Sequence, residues 1–112
     1  MQYMMAIYET ETPSGEKPEI DWGAWMAYTE ALQRAGVMVG GNGLQESRTA
    51  TTLRLRDGRR QVQDGPYADT KEQLAGYYVL EVDSLDQALD WAARCPAAST
   101  GTLELRPVLA MS

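Results

Sequence analysis

The chain has 112 residues, 44% hydrophobic and 23% charged, values of one globular domain with a single core rather than of a disordered or membrane protein. Its formal charge of −6 supplies no cationic face for phosphates, so nucleic acid is not an expected partner. Histidine is absent and cysteine occurs once, as Cys95, which removes Ser-His-Asp and Cys-His nucleophiles, His-ligated metals and any intrachain disulfide; neither metal nor cofactor is expected.

The apolar start, Met1 to Tyr8, is too short to cross a membrane and lacks a basic n-region and a small-residue cleavage site, so a cytoplasmic, membrane-free location is expected. Gln2–Tyr8 reads as a strand with Tyr3, Met5 and Ile7 on one face and Met4, Ala6 and Tyr8 on the other. Both faces are apolar, as in a central strand covered on two sides. Glu9 to Glu19, with Pro13, Ser14, Gly15 and Pro18, reads as a connecting loop. A helix is predicted from Asp21 as N-cap to Ala35, with Gly36 as the C′ residue. Trp22, Trp25, Met26, Tyr28, Leu32 and Ala35 form its apolar arc, read as core. Gly40-Gly41-Asn42-Gly43 reads as a flexible turn, without the lysine or frame of a phosphate loop.

Ala50 to Arg56 alternates, with Thr51, Leu53 and Leu55 opposed to Thr52, Arg54 and Arg56, so one face is wet. Asp57-Gly58 predicts a type I′ hairpin and Arg59–Gln63 its return strand. Arg54, Arg56, Arg59 and Arg60 then crowd a solvated tip rather than a phosphate patch. Tyr77–Val82 is again a strand apolar on both faces apart from Glu81. Ser84-Leu85-Asp86-Gln87 is a capping box, opening a helix with Leu85, Ala88, Leu89, Ala92 and Ala93 on its apolar side and Pro96 beyond its end. Cys95, at the end of that helix, reads as a small buried hydrophobe. Leu103–Leu109 is a last strand, placed at an edge or bulge by Pro107.

The order predicts an α+β, ferredoxin-like β-α-β-β-α-β fold with an inserted hairpin, one domain over residues 1–112. Two helices cover one face of such a sheet. Each large apolar side chain left wet on the other face forgoes roughly 1.5–3 kcal/mol. A homodimer with its sheets face to face is therefore expected, giving a dimeric α+β barrel.

Between hairpin and strand lie Asp64-Gly65-Pro66-Tyr67-Ala68-Asp69-Thr70-Lys71-Glu72. As scaffold, Asp64 caps a turn through its side chain, Gly65 reverses the backbone and Pro66 fixes the next φ; Thr70-Lys71-Glu72-Gln73 is a capping box for a short helical turn closed by Gly76. As a site, Asp64, Asp69, Lys71 and Glu72 would face a pocket walled by aromatic groups such as Tyr67, Tyr77 or Trp25, between this run, the first helix and the sheet, with Arg106 as a further polar anchor. No catalytic residue is assigned. The run Asp64 to Tyr78 resembles the signature of the YCII-related, DGPF-type domain family, with Tyr67 in place of the family's Phe and Asp69 in place of its Glu. Met4-Met5-Ala6-Ile7-Tyr8, Ala50–Arg54, Leu85–Ala92 and Leu105–Val108 are similar as well. The resemblance implies the dimeric α+β barrel and a bacterial cytoplasmic protein, often linked to extracytoplasmic-function sigma factors. The proposed His–Asp pair of distant relatives cannot be carried over, because this chain has no histidine. Three functions follow: a small-ligand-binding or accessory domain in sigma-factor-linked regulation, a cofactor-independent enzyme using Asp/Tyr acid–base chemistry, or a protein-interaction partner of a transcription regulator.

Overall fold

Alternation in the first ten residues gives a strand with two apolar faces, and such a strand is stable only inside a sheet. The computed structural model describes residues 1–11 and 20–110. Along the chain run β1 (Gln2–Thr10), α1 (Trp22–Arg34), β2 (Met38–Gly43), β3 (Thr51–Arg56), β4 (Arg59–Asp64), β5 (Glu72–Glu81), α2 (Leu85–Ala93) and β6 (Thr102–Pro107). β2, β5, β1 and β6 lie in that order in one antiparallel sheet, while β3 and β4 pair only with each other. This is the ferredoxin-like α+β arrangement, with the β3–β4 hairpin inserted between its second and third sheet strands. β1 and β5 hold the centre, and Pro107 ends the edge strand β6, where no ladder donor is needed.

Both helices lie on one face. Tyr28 and Leu32 of α1 and Ala88 and Ala92 of α2 pack on Tyr3, Met5, Ile7, Tyr78, Leu80 and Val82. Met5, Leu32 and Leu80 are wholly buried. On the opposite face Met4, Tyr8, Tyr77 and Val79 remain half-buried around Ala6, with no second layer over them among the described residues.

The helix ends follow their local chemistry. Asp21 Oδ1 accepts from Ala24 N at 3.0 Å, and Gly36 beyond the C-cap Ala35 has φ +69°. Ser84 Oγ accepts from Gln87 N at 3.2 Å, while Gln87 Oε1 accepts from Asp83 N at 2.9 Å, one residue earlier than the usual capping box. Asp57 and Gly58, at φ +52° and +74°, make the type I′ turn.

Four expectations need correction. Gly40–Gly43 is not a turn but the last four residues of the edge strand β2, paired with β5. A Cβ at Gly41 would sit 2.7 Å from Tyr77 O and 2.8 Å from Tyr78 Cδ1, so a close approach explains the glycine. Thr70–Gln73 opens no helical turn: β5 starts at Glu72, because pairing with β1 as far as Thr10 outweighs a local cap. Gln73 Nε2 instead donates to the Ala68 and Thr70 carbonyls, both at 2.9 Å.

The two apolar arcs are only half buried. Trp22 and Met26 of α1 stand exposed, as do Leu85 and Leu89 of α2. Finally, Leu53 and Leu55 of the hairpin meet no core and are exposed with Val62, since β3 and β4 stand off the main sheet. Of the loop expected from Glu9 to Glu19, Glu9 and Thr10 belong to β1, and residues 12–19 lie outside the described residues.

Candidate functional site

The half-buried arc of α1 is what opens a cleft. Because Tyr28 and Leu32 seat the C-terminal half of the helix on the sheet, Trp22, Trp25, Met26 and Thr29 are left facing a cavity of about 1230 Å³ over Ile7, Met38, Gly41 and Tyr78. Its walls are mainly apolar and aromatic, the usual character of a small-molecule site.

At its base the Tyr78 hydroxyl and Thr29 Oγ1 share a hydrogen bond of 2.6 Å. The Tyr78 ring meets Tyr28 edge to face, with centroids 5.6 Å apart, and Tyr28 donates to the Trp91 carbonyl at 2.8 Å. Burial pushes the Tyr78 phenol up from its ordinary value, an effect partly offset by the Thr29 hydrogen bond and reinforced by Cys95. Tyr28 is raised further, again mainly by burial. Both phenols therefore stay protonated at neutral pH and keep an O–H to donate, as Tyr28 does to Trp91, rather than serving as bases. Gly41 keeps β2 clear of the Tyr78 ring.

Among residues expected to form the site, Trp25 and Tyr77 line this cleft and the others do not. Asp64 is the last residue of β4, paired in register with Thr51 and exposed. Where the sequence reading caps the turn with the Asp64 side chain, the hydrogen bonds in place belong to the Gly65 backbone. Its N–H donates to Ala50 O at 2.7 Å and its carbonyl accepts from Thr52 Oγ1 at 2.8 Å, with φ +101°. Tyr67 is 76% exposed, its ring under the Arg54 guanidinium at 4.9 Å.

Asp64, Gly65, Pro66, Tyr67 and Asp69 do come together, around a second concavity of about 690 Å³ at the base of the hairpin. Lys71 is exposed. Glu72 accepts from Thr102 Oγ1 at 3.2 Å. Arg106 sits on the opposite sheet face, opposite Met4, and pairs with Glu104 at 3.0 Å. The pocket expected between the central run, the first helix and the sheet is thus split in two, because β5 begins at Glu72, the last residue of that run, and leaves the rest of it away from α1.

Sequence reasoning missed Thr29, Tyr78 and Glu9 as lining residues. One signal was available: Trp22, Trp25, Met26 and Thr29 recur at i, i+3, i+4 and i+7, a single helix face that core packing does not use up.

The family model for the YCII-related domain matches residues 1–112. The chain is also 38% identical over 114 residues to an uncharacterized protein of Rhizobium meliloti (strain 1021), an alignment covering 96% of this chain and 92% of the relative.

Proposed function

The chain belongs to the YCII-related domain family, and from that premise we propose that it is a small-ligand-binding domain acting as an accessory in regulation, with its ligand held between α1 and the sheet. The observation that carries this reading is the aromatic-walled cleft of about 1230 Å³ with the Tyr78–Thr29 hydroxyl pair at its base. Trp22 and Trp25 offer flat apolar contact, and the protonated phenol offers a directed donor.

The domain works as a homodimer in this proposal, its half-buried face of Met4, Tyr8, Tyr77 and Val79 closed by a second copy. A cytoplasmic setting and a sigma-factor-linked partner belong to the same proposal. Among the described residues, no helix is long and apolar enough to cross a membrane. A second reading, a cofactor-independent enzyme, draws on one observation: Tyr78 is a buried phenol facing a cleft, suited to donating a hydrogen bond to a developing oxyanion.

A thermal-shift screen of small metabolites tests the binding site. A ligand at a hundredfold excess over its Kd stabilises by about 2.7 kcal/mol. Trp22→Ala, at a 67% exposed position, should keep the unliganded Tm and lose that gain. Asp64→Asn should keep both. The reverse pattern would move the site to the concavity beside Asp64 and overturn the assignment.

A further inference from the structure

We infer that the cleft is selective for an amine, an organic cation with an aromatic or apolar body whose ammonium group sits against Glu9. This rests on the cleft being the ligand site, and it adds the ligand's charge. Among the described residues, the lining carries three carboxylates, Glu9, Asp21 and Glu30, and no lysine or arginine.

Two of the three are already engaged. Asp21 caps α1 through Ala24 N at 3.0 Å, and Glu30 pairs with Arg34 at 2.7 Å. Glu9 is different. It follows Ile7 by two residues in β1 and so shares the helix-covered face. It is half-buried, and the hydrogen bond it accepts comes from Thr100 Oγ1 at a long 3.4 Å. Among the described residues no cation lies within ion-pair distance of it.

Glu9 is partly exposed and accepts one long hydrogen bond, so an ammonium donor can reach it and supplies an opposite charge and a stronger hydrogen bond. The faces of Trp22 and Trp25 attract the same cation or stack on its ring. A ligand carboxylate placed there would meet the negative charge of Glu9 with no cation beside it among the described residues, and would be rejected. The net charge of −6 favours encounter with cations in the same sense.

The test uses three probes with one phenyl body, 2-phenylethylamine, 2-phenylethanol and 3-phenylpropionate, read by tryptophan fluorescence in a Trp91→Phe background that leaves Trp22 and Trp25 as reporters. The amine should bind about tenfold more tightly than the alcohol, as expected for one charge-assisted contact, and the acid most weakly. Added salt should narrow the gap. Glu9→Gln should bring amine and alcohol level, while Glu30→Gln leaves the preference intact; circular dichroism checks that both variants fold.

Equal binding of all three probes, or an amine preference that survives Glu9→Gln, overturns the amine assignment and leaves the cleft as the site. If no probe perturbs the cleft tryptophans, the cleft reading and this inference fall together.

Discussion

Cys95 shows how burial dominates the behaviour of a residue. It is 3% exposed, and burial raises its thiol from 9.0 to about 11, with the Ala97 backbone hydrogen bond pulling down and Glu9 pushing up. A raised thiol holds its proton in the native state after the unfolded chain has lost it. Its contribution to stability is therefore complete below pH 9.0 and is lost as pH rises through about 11. The Tm advantage of the wild type over Cys95→Ala should shrink across that window, as thermal melts at stepped pH would show; a constant difference would mean that the thiol ionises as freely as in the unfolded chain. At Gly41 the constraint is steric. With a Cβ placed 2.7 Å from a backbone oxygen, Gly41→Ala should cost about 1–3 kcal/mol by overpacking, measurable by urea denaturation, and should displace the Tyr78 ring from Thr29.

At the scale of elements, two similar tetrads behave differently. Ser84-Leu85-Asp86-Gln87 caps a real helix because α2 has a place on the sheet for Ala88 and Ala92. Thr70-Lys71-Glu72-Gln73 has the same pattern, but its residues stand at the entrance to β5, where the ladder to β1 offers more hydrogen bonds than one helical turn. Ser84→Ala should therefore cost about 1 kcal/mol, the ordinary worth of an N-cap. Thr70→Ala removes only a bond to the Glu72 carbonyl at an exposed position and should stay within about 0.5 kcal/mol. Equal losses in chemical denaturation would show that the second tetrad caps after all. The hairpin follows the same logic. Its turn is dictated by Asp57-Gly58, but nothing local says what its leucines face, and in the single chain they face water.

Taken whole, the molecule measures 45 × 42 × 18 Å with a radius of gyration of 16.0 Å, against about 13 Å for a compact domain of this size. A flat slab with a projecting hairpin has too much surface to keep every apolar group dry by itself. The proposed dimer addresses this directly, since Met4, Tyr8 and Val79 share the face opposite α1 and α2. Light scattering after gel filtration should give twice the chain mass at micromolar concentration. Val79→Arg, which sets a charge in the middle of that face beside Met4, should shift the population to monomer and lower the Tm. A wild-type monomer of full stability would remove the dimer from the proposal.

The amino-acid sequence determined whatever short-range chemistry settles: the twin-faced strands β1 and β5, the caps at Asp21 and Ser84, the Asp57-Gly58 turn, and through their order the ferredoxin-like fold. It also carried the family, in the run from Asp64 to Tyr78. The site was only partly legible. Trp25 could be picked out, but whether Trp22 and Met26 are core or wall depends on how α1 tilts over the sheet, a packing outcome with no local signature. The separation of Asp64 and Tyr67 from Trp25, the strand character of Gly40–Gly43 and the lone carboxylate of Glu9 were decided by tertiary structure alone. Their reason is common: partners distant in the chain, β5 above all, compete with local preference, and a ladder of hydrogen bonds with buried side chains on it outweighs a single turn or cap.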